Sequence, residues 1–536
     1  MVGSELISSL DEVFSTFNRS DLPGLVVGIA HHGKLLYRRG FGLASMETSI
    51  ANTPRTRMRI GSTSKHFTSM LALLLAEDGK LDLEAPIRTY IPELTGPDGD
   101  PTLRQLLQHR GGSRCYLDVG FVSRGLSVPA TGTALATQVR QSCRNFEPGT
   151  AMIYNNGGYQ LVSIAIERVG GAPFEEQLKQ RLFDPIGMAD TASIPSDYVI
   201  TPGIAAMHIP TPDGGWRRGL FPSEEVRGEG AIVSTVDDML RWAEHLRTQD
   251  RFGSLATWAE LTKVPAYPDG TVGQYALGLM VQSYRGVRVV HHPGGVPGGS
   301  SQLLTVPDHG LEMVILANGA PGCNPMQLAE QVLDLVLKEH LGERKSTIPT
   351  ALHNNVLGDW WSVDTGMLYQ LTDDNGRVSL SLCGSAMSFP LEKDPSGKIV
   401  STDMSLSEIE IGLDDAMKRT GLTIKFGGQS VHYQRVSKDA DKAKAFVAAA
   451  VGQYYSADAN CMADITQQGE RITLRCGDQY GQVESELICL EELVAQATYA
   501  GGGCTLSFSK QDGRMTGFRL NSTRTRNLAF ERKFNN

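Results

Sequence analysis

Residues 357–380, LGDWWSVDTGMLYQLTDDNGRVSL, and residues 451–474, VGQYYSADANCMADITQQGERITL, align without gaps. They share Gly358 with Gly452, the aromatic pair Trp360-Trp361 with Tyr454-Tyr455, and Ser362 with Ser456. A second block follows in the same order, GLTIKFGGQSVHYQRV against GFRLNSTRTRNLAFERK. Two blocks in one order predict two tandem copies of one unit. Both copies consist of short alternating apolar and polar runs split by Asp, Asn, Gly and Ser, the pattern of small antiparallel barrels. Residues 350–440 and 445–536 are therefore expected to be all-β barrel domains.

The repeat separates these copies from residues 1–341, with the polar, Pro-closed stretch GERKSTIPT (342–350) as a linker. In the first unit GLVVGIAHHGKLLYRRGFG alternates around a His-Gly turn, and VRVVHHPGG, SSQLLTVPDHG and LEMVILAN predict three more strands near its end. Between them, STSKHFTSMLALLLAEDG, TLRQLLQHR, YQLVSIAIERVG and TVDDMLRWAEHLRTQ carry apolar residues at helical spacing. Strands from both ends are expected to pair into one antiparallel sheet flanked by helices, with a helical subdomain beside it: an α+β domain ending near AEQVLDLVLKEHL.

Charge and apolar content exclude several classes of function. The 536 residues carry a net charge of −9 with no Lys/Arg-rich run, which argues against a nucleic-acid partner. No apolar stretch reaches eighteen residues, and MVGSELISSLDEVFSTF lacks the pattern of a secretory leader, so a soluble, cytoplasmic protein without a membrane partner is expected. The eight cysteines fall in no metal-ligand spacing and are expected to be mostly buried, reduced thiols. No cofactor and no metal are called for.

Three stretches carry chemistry. Ser62 and Lys65 stand three places apart where an apolar helix begins, so they share a face beside N–H groups that favour developing negative charge. A lysine of ordinary pKa is a poor base, and burial or a neighbouring cation has to lower it. A helix cap beside a solvated lysine would give the same spacing. Tyr154, Asn155 and Asn156 follow a Pro-Gly turn and precede another amphipathic helix. A phenol there is suited to relay a proton, and the amide of Asn156 to orient the lysine and a substrate. His292-Pro293-Gly294-Gly295 lies on a predicted strand, where Gly294 and Gly295 let a substrate backbone approach and the N–H of Gly295 is the partner of that of Ser62 in an oxyanion hole. His292 is left between proton shuttle, substrate donor and structural residue.

In this order the three stretches resemble the motif triplet of the serine penicillin-recognising enzymes, the superfamily of class C β-lactamases and D,D-peptidases. The resemblance covers residues 8 to 340 and includes LRQLLQHRGG, LFDPIGMADT, GEGAIVSTVDDMLRWAEHL and YALGLMV. It implies that Ser62 is the acylated nucleophile, that Lys65 and Tyr154 exchange protons with it, that Asn156 positions groups and that His292 stands at the third motif. His292 replaces the lysine that many members carry there to receive the substrate carboxylate, which lowers the expectation of a penicillin-type or C-terminal carboxylate substrate.

Two β domains after such a domain are similar to the D-aminopeptidase branch of that superfamily. This implies hydrolysis of N-terminal D-residues, D-alanyl-type, from small peptides, amides or esters, with a homodimer as the candidate assembly. The second copy departs from the first at RCGDQYGQVESE, and Asp478 on that Gly-bounded loop is the candidate for binding the substrate amine, with Glu229 as competitor and a plain hairpin cap as the other reading of Asp478. D,D-peptidase, β-lactamase and esterase activities are the rival chemistries. A ligand sensor on the same scaffold is the rival without catalysis.

Overall fold

In the computed structural model Leu25, Val27 and Ile29 face one apolar cluster while Val26 faces another, so the first strand is buried on both sides. That strand, β1 (Leu25–His31), pairs with β2 (Lys34–Phe41) and with a strand from the far end of the unit. The later strands are β3 (Met280–Tyr284), β4 (Val287–Val296), β5 (Gly299–Val306) and β6 (Leu311–Ala317). The sheet runs β3-β4-β5-β6-β1-β2, antiparallel throughout. The predicted pairing of the two ends is present, with β3 as an additional edge strand. The structure describes residues 4–343, 348, 356–382, 388–394, 396–401, 408–414, 421–436, 446, 449–500 and 502–534. Most of the expected linker 342–350 and the junction 437–445 lie outside the described residues, as does Cys383.

Helices α1 (Ser4–Phe14) and α6 (Pro325–Val336) cover one face of the sheet. The other face supports α2 (Lys65–Glu77), α4 (Asn156–Gly170) and α5 (Val236–Thr248), whose apolar sides merge into one core. Between them lies α3 (Tyr116–Arg124). Its Val119 and Val122 are buried in the core of the last β unit. Four described cysteines, Cys115, Cys461, Cys476 and Cys504, are buried. Among the described residues no helix is long and apolar enough to cross a membrane.

Beyond the first unit stand an eight-stranded closed antiparallel barrel and a nine-stranded antiparallel sheet that nearly closes. The repeat read in the sequence recurs in their geometry. In the first barrel Trp360 donates its indole N–H to the carbonyl of Val356, 2.8 Å, and faces Arg435 across the strand pair, 4.9 Å from guanidinium to ring. In the second, Tyr454 donates its hydroxyl to the carbonyl of Ala450, 2.7 Å, and faces Arg532 in the same register, at 5.8 Å. Each aromatic ring plugs its barrel and ties off the strand entering it. Gly358 and Gly452 precede these rings with φ of 135° and 151°, a region that a side chain disfavours.

Candidate active site

Gly61 sets the position of the nucleophile turn. Its φ is 52°, and a Cβ on it would lie 2.8 Å from the carbonyl oxygen of Gly295. Only glycine lets this turn sit against β4 without a clash. Ser62 lies in the 3-10 turn Gly61–Ser64, and Lys65 is the first residue of α2, so the predicted helix start is a turn tighter than an α-helix. Thr63 fastens the turn to the sheet. Its hydroxyl donates to the carbonyl of His292, 3.1 Å, and meets the Ser301 hydroxyl, 2.9 Å, which in turn donates to Ile60, 2.7 Å.

Lys65 is fully buried. Its amine donates to Ser62 Oγ at 3.0 Å, to Asn156 Oδ1 at 2.7 Å and to the carbonyl of Glu229 at 2.7 Å. Burial is the main reason its pKa falls to about 7, and the nearby Arg524 guanidinium adds to the fall while the Glu229 carboxylate opposes it. Asn155 and Asn156 divide two tasks. Asn155 caps α4 by accepting the N–H of Gly157, 2.7 Å, and donates to the Ser113 carbonyl, 2.8 Å, which leaves Asn156 aimed at the lysine.

Tyr154 completes the group. Its ring lies 4.8 Å from the Lys65 amine, and its hydroxyl is buried without a partner in good hydrogen-bond geometry, with the Ser62 hydroxyl as its polar neighbour. Burial pushes the phenol pKa up, so it stays protonated at neutral pH. His109 packs against this ring, centroids 4.1 Å apart and planes tilted by 40°, and accepts the N–H of Asn155, 3.0 Å, through its Nδ1. The sequence reading did not single out His109, although HRGG lay inside a stretch that carried the resemblance.

His292 is buried on β4 with both ring nitrogens engaged. Nδ1 lies 2.6 Å from the Pro293 carbonyl, which can only accept, so it carries the hydrogen and Nε2 takes the Tyr275 hydroxyl at 3.0 Å. Burial and the Lys65 charge hold its pKa well below the ordinary value, and the ring is neutral at pH 7. Gly294 packs against Ile60, where a Cβ would lie 1.9 Å from that carbonyl oxygen, whereas a Cβ on Gly295 would meet open space. The neighbouring strand residue thus leaves room in front of Ser62.

Asp478 has to be reassigned. Its Oδ2 accepts from Arg124 of α3 at 2.9 Å and from Ser123 at 3.3 Å, and its Oδ1 accepts the N–H groups of Tyr480, 2.8 Å, and Gly481, 3.2 Å. Both oxygens are engaged, so the residue caps its hairpin and ties the last β unit to α3 instead of awaiting an amine. Glu229 is equally occupied, by the Tyr116 hydroxyl and the Arg227 N–H.

The second barrel reaches the site by another loop. Strands Arg514–Ser522 and Leu528–Lys533 are joined by residues 523–527, and the Arg524 guanidinium lies 4.9 Å over the Tyr154 ring. Asn145 donates to the Arg524 carbonyl, 2.9 Å, and accepts the Arg526 N–H, 2.8 Å. Arg114 donates to the carbonyls of Arg526 and Asn527, 2.8 Å each, and pairs with buried Asp458, 2.6 Å. The stretch TRTRN in the second copy, where the first has only a Gly-Gly turn, was the available signal for this loop.

A match to the Beta-lactamase family model spans residues 10–338. The chain belongs to that family. It is a serine hydrolase whose first unit has the penicillin-binding-protein-like fold. The D-aminopeptidase of Brucella anthropi is 27% identical over 66% of each chain, and that of Gluconobacter oxydans is 28% identical over 67% of this chain and 66% of its own length. These matches span just under two thirds of the relatives. Among solved structures, the octameric penicillin-binding protein homologue from Pyrococcus abyssi aligns with 90% of this chain and all of its own at TM-score 0.56 and 19% identity. The D-amino acid amidase from Ochrobactrum anthropi SV3, complexed with L-phenylalanine amide, aligns with 63% of this chain and 99% of its own at TM-score 0.52 and 23% identity.

Proposed function

We propose that this protein is a D-stereospecific amide hydrolase that releases the N-terminal D-residue of small peptides, amides or esters through an acyl-enzyme on Ser62. The observation that carries the chemistry is the set of three contacts at the Lys65 amine. Two of its partners, the Asn156 amide oxygen and the Glu229 carbonyl, can only accept hydrogen. A neutral amine spends its two hydrogens on them and turns its lone pair to the Ser62 hydroxyl. With the Lys65 pKa near 7, that neutral form is well populated at physiological pH.

Ser62 Oγ then attacks the substrate carbonyl and passes its proton to Lys65. The N–H groups of Ser62 and Gly295 hold the oxyanion. Tyr154, still protonated, gives its proton to the leaving nitrogen and recovers one from the lysine, and water clears the acyl-enzyme by the reverse path. In this reading His292 orients Tyr275 and β4 and moves no proton. The D-preference rests on the likeness to proteins named D-aminopeptidase. Turnover of D-alanine p-nitroanilide without turnover of the L-isomer is the expected result, and a folded sample that cleaves neither, nor a D-peptide, would overturn the proposal.

A further inference from the structure

The cations around Ser62 differ in what they have left to offer. The Lys65 amine is spent on three bonds and the His292 ring is neutral. Arg524, a residue of intermediate burial, is alone among the described cations beside Tyr154 in having no side-chain hydrogen bond to a described group. It is held in place by its backbone instead. Asn145 grips its carbonyl, the Ser522 N–H donates to Thr525 at 2.7 Å, and the Asn527 N–H donates to Asn521 at 2.8 Å. Asp118 of α3, buried with one carboxylate oxygen unpartnered, acts on Arg524 through its charge without ion-pair contact. A planar fork with free N–H groups on a rigid loop is built to meet a carboxylate in two parallel hydrogen bonds.

We propose that Arg524 receives a carboxylate on the leaving residue of the substrate, so that short D-peptides with a free C-terminus are preferred over their amides. This rests on the hydrolase reading above for its geometry. Tyr154 hands its proton to the scissile nitrogen, and in a dipeptide the terminal carboxylate is two bonds from that nitrogen. The Arg524 guanidinium, 4.9 Å over the Tyr154 ring, is thereby placed next to the group that protonates the leaving nitrogen. The second barrel is then a selectivity element. It supplies one charged side chain to a cluster otherwise drawn from the first unit.

Binding and turnover test it separately. Calorimetry on the Ser62→Ala protein compares D-alanyl-D-alanine with D-alanyl-D-alaninamide, and the acid is expected to bind tighter by roughly 10- to 100-fold. Arg524→Gln in the same background should bring the two ligands close to parity, and Arg524→Lys should restore part of the difference. Equal binding of acid and amide while Arg524 is present, or a preference that survives Arg524→Gln, overturns the proposal. The comparison with Arg524 in place decides the matter even if the variant fails to fold. Preferential binding without hydrolysis of either ligand by the Ser62 protein would uphold the receptor and overturn the hydrolase reading, whereas equally efficient hydrolysis of both would do the reverse.

Discussion

The two barrels present the same hairpin to the first unit and do different things with it. In the first, the turn between Gly421–Phe426 and Gln429–Arg435 is Gly427-Gly428. Its Gly427 carbonyl accepts the N–H of Met152, 2.9 Å, and a Cβ there would come within 2.6 Å of the Met152 oxygen. In the second, five residues replace that turn and Arg524 lies over Tyr154, two places further along the same segment. One copy offers bare backbone and braces the Tyr154 segment. The other offers a charge and alters its electrostatics. A duplicated scaffold keeps its plug and register, and at this turn the copies divide their labour.

The comparison breaks most visibly at the lysine, whose amine lies 4.8 Å from the Tyr154 ring. Lys65→Met should lower kcat/KM by about 10³-fold or more, since proton transfer from Ser62 is lost. The same variant should flatten the pH dependence of stability. The folded pKa of Lys65 lies near 7 and below its unfolded value, so between pH 7 and 10 the unfolded chain binds more protons and wild-type stability rises with pH. Thermal melts across that range check this, and a rise retained in full by Lys65→Met would refute the lowered pKa.

Next comes the clamp that holds the second hairpin. Asp458→Ala leaves the Arg114 guanidinium buried without its partner and should cost about 3–5 kcal/mol in chemical denaturation. On the first hairpin, Gly427→Ala meets both a positive φ of 59° and the Met152 oxygen. It should cost about 1–2 kcal/mol and lower activity, because it pushes the Tyr154 segment. The smallest effect is electrostatic. Arg524→Gln removes a charge that depresses the Lys65 pKa, so the acidic limb of the kcat/KM profile should move to higher pH. An unmoved limb would mean that burial alone sets the lysine.

Local signals in the chain carried much of this. Alternation announced the strands of the central sheet, helical spacing announced α2 and α5, and the repeat announced both barrels. Ser62, Lys65, Tyr154 and Asn156 stood out because each lies at the edge of a strong element, and the structure brings them into one cluster. Asp478 misled because misalignment between the copies drew attention to a loop whose carboxylate closes on its own turn and on Arg124. Arg524 was harder to read. Its place depends on how a barrel docks, through Arg114, Asn145 and Asp458, and no periodicity within its own strand pair encodes that contact. The roles of His109 and Tyr275 are likewise set by packing across the sheet.

The hydrogen bond from Asn145 to Arg524 joins residues 379 apart in sequence. At a synthesis rate of about 5–20 residues per second, the ribosome needs roughly 20–80 s to bring the second after the first. In the last part of that interval, once the strands ending at Ala317 have been made, a nascent chain can gather its serine, lysine and tyrosine, yet it has no arginine above them. Reactivity is assembled early in the life of the molecule, and discrimination arrives only when the last loop docks.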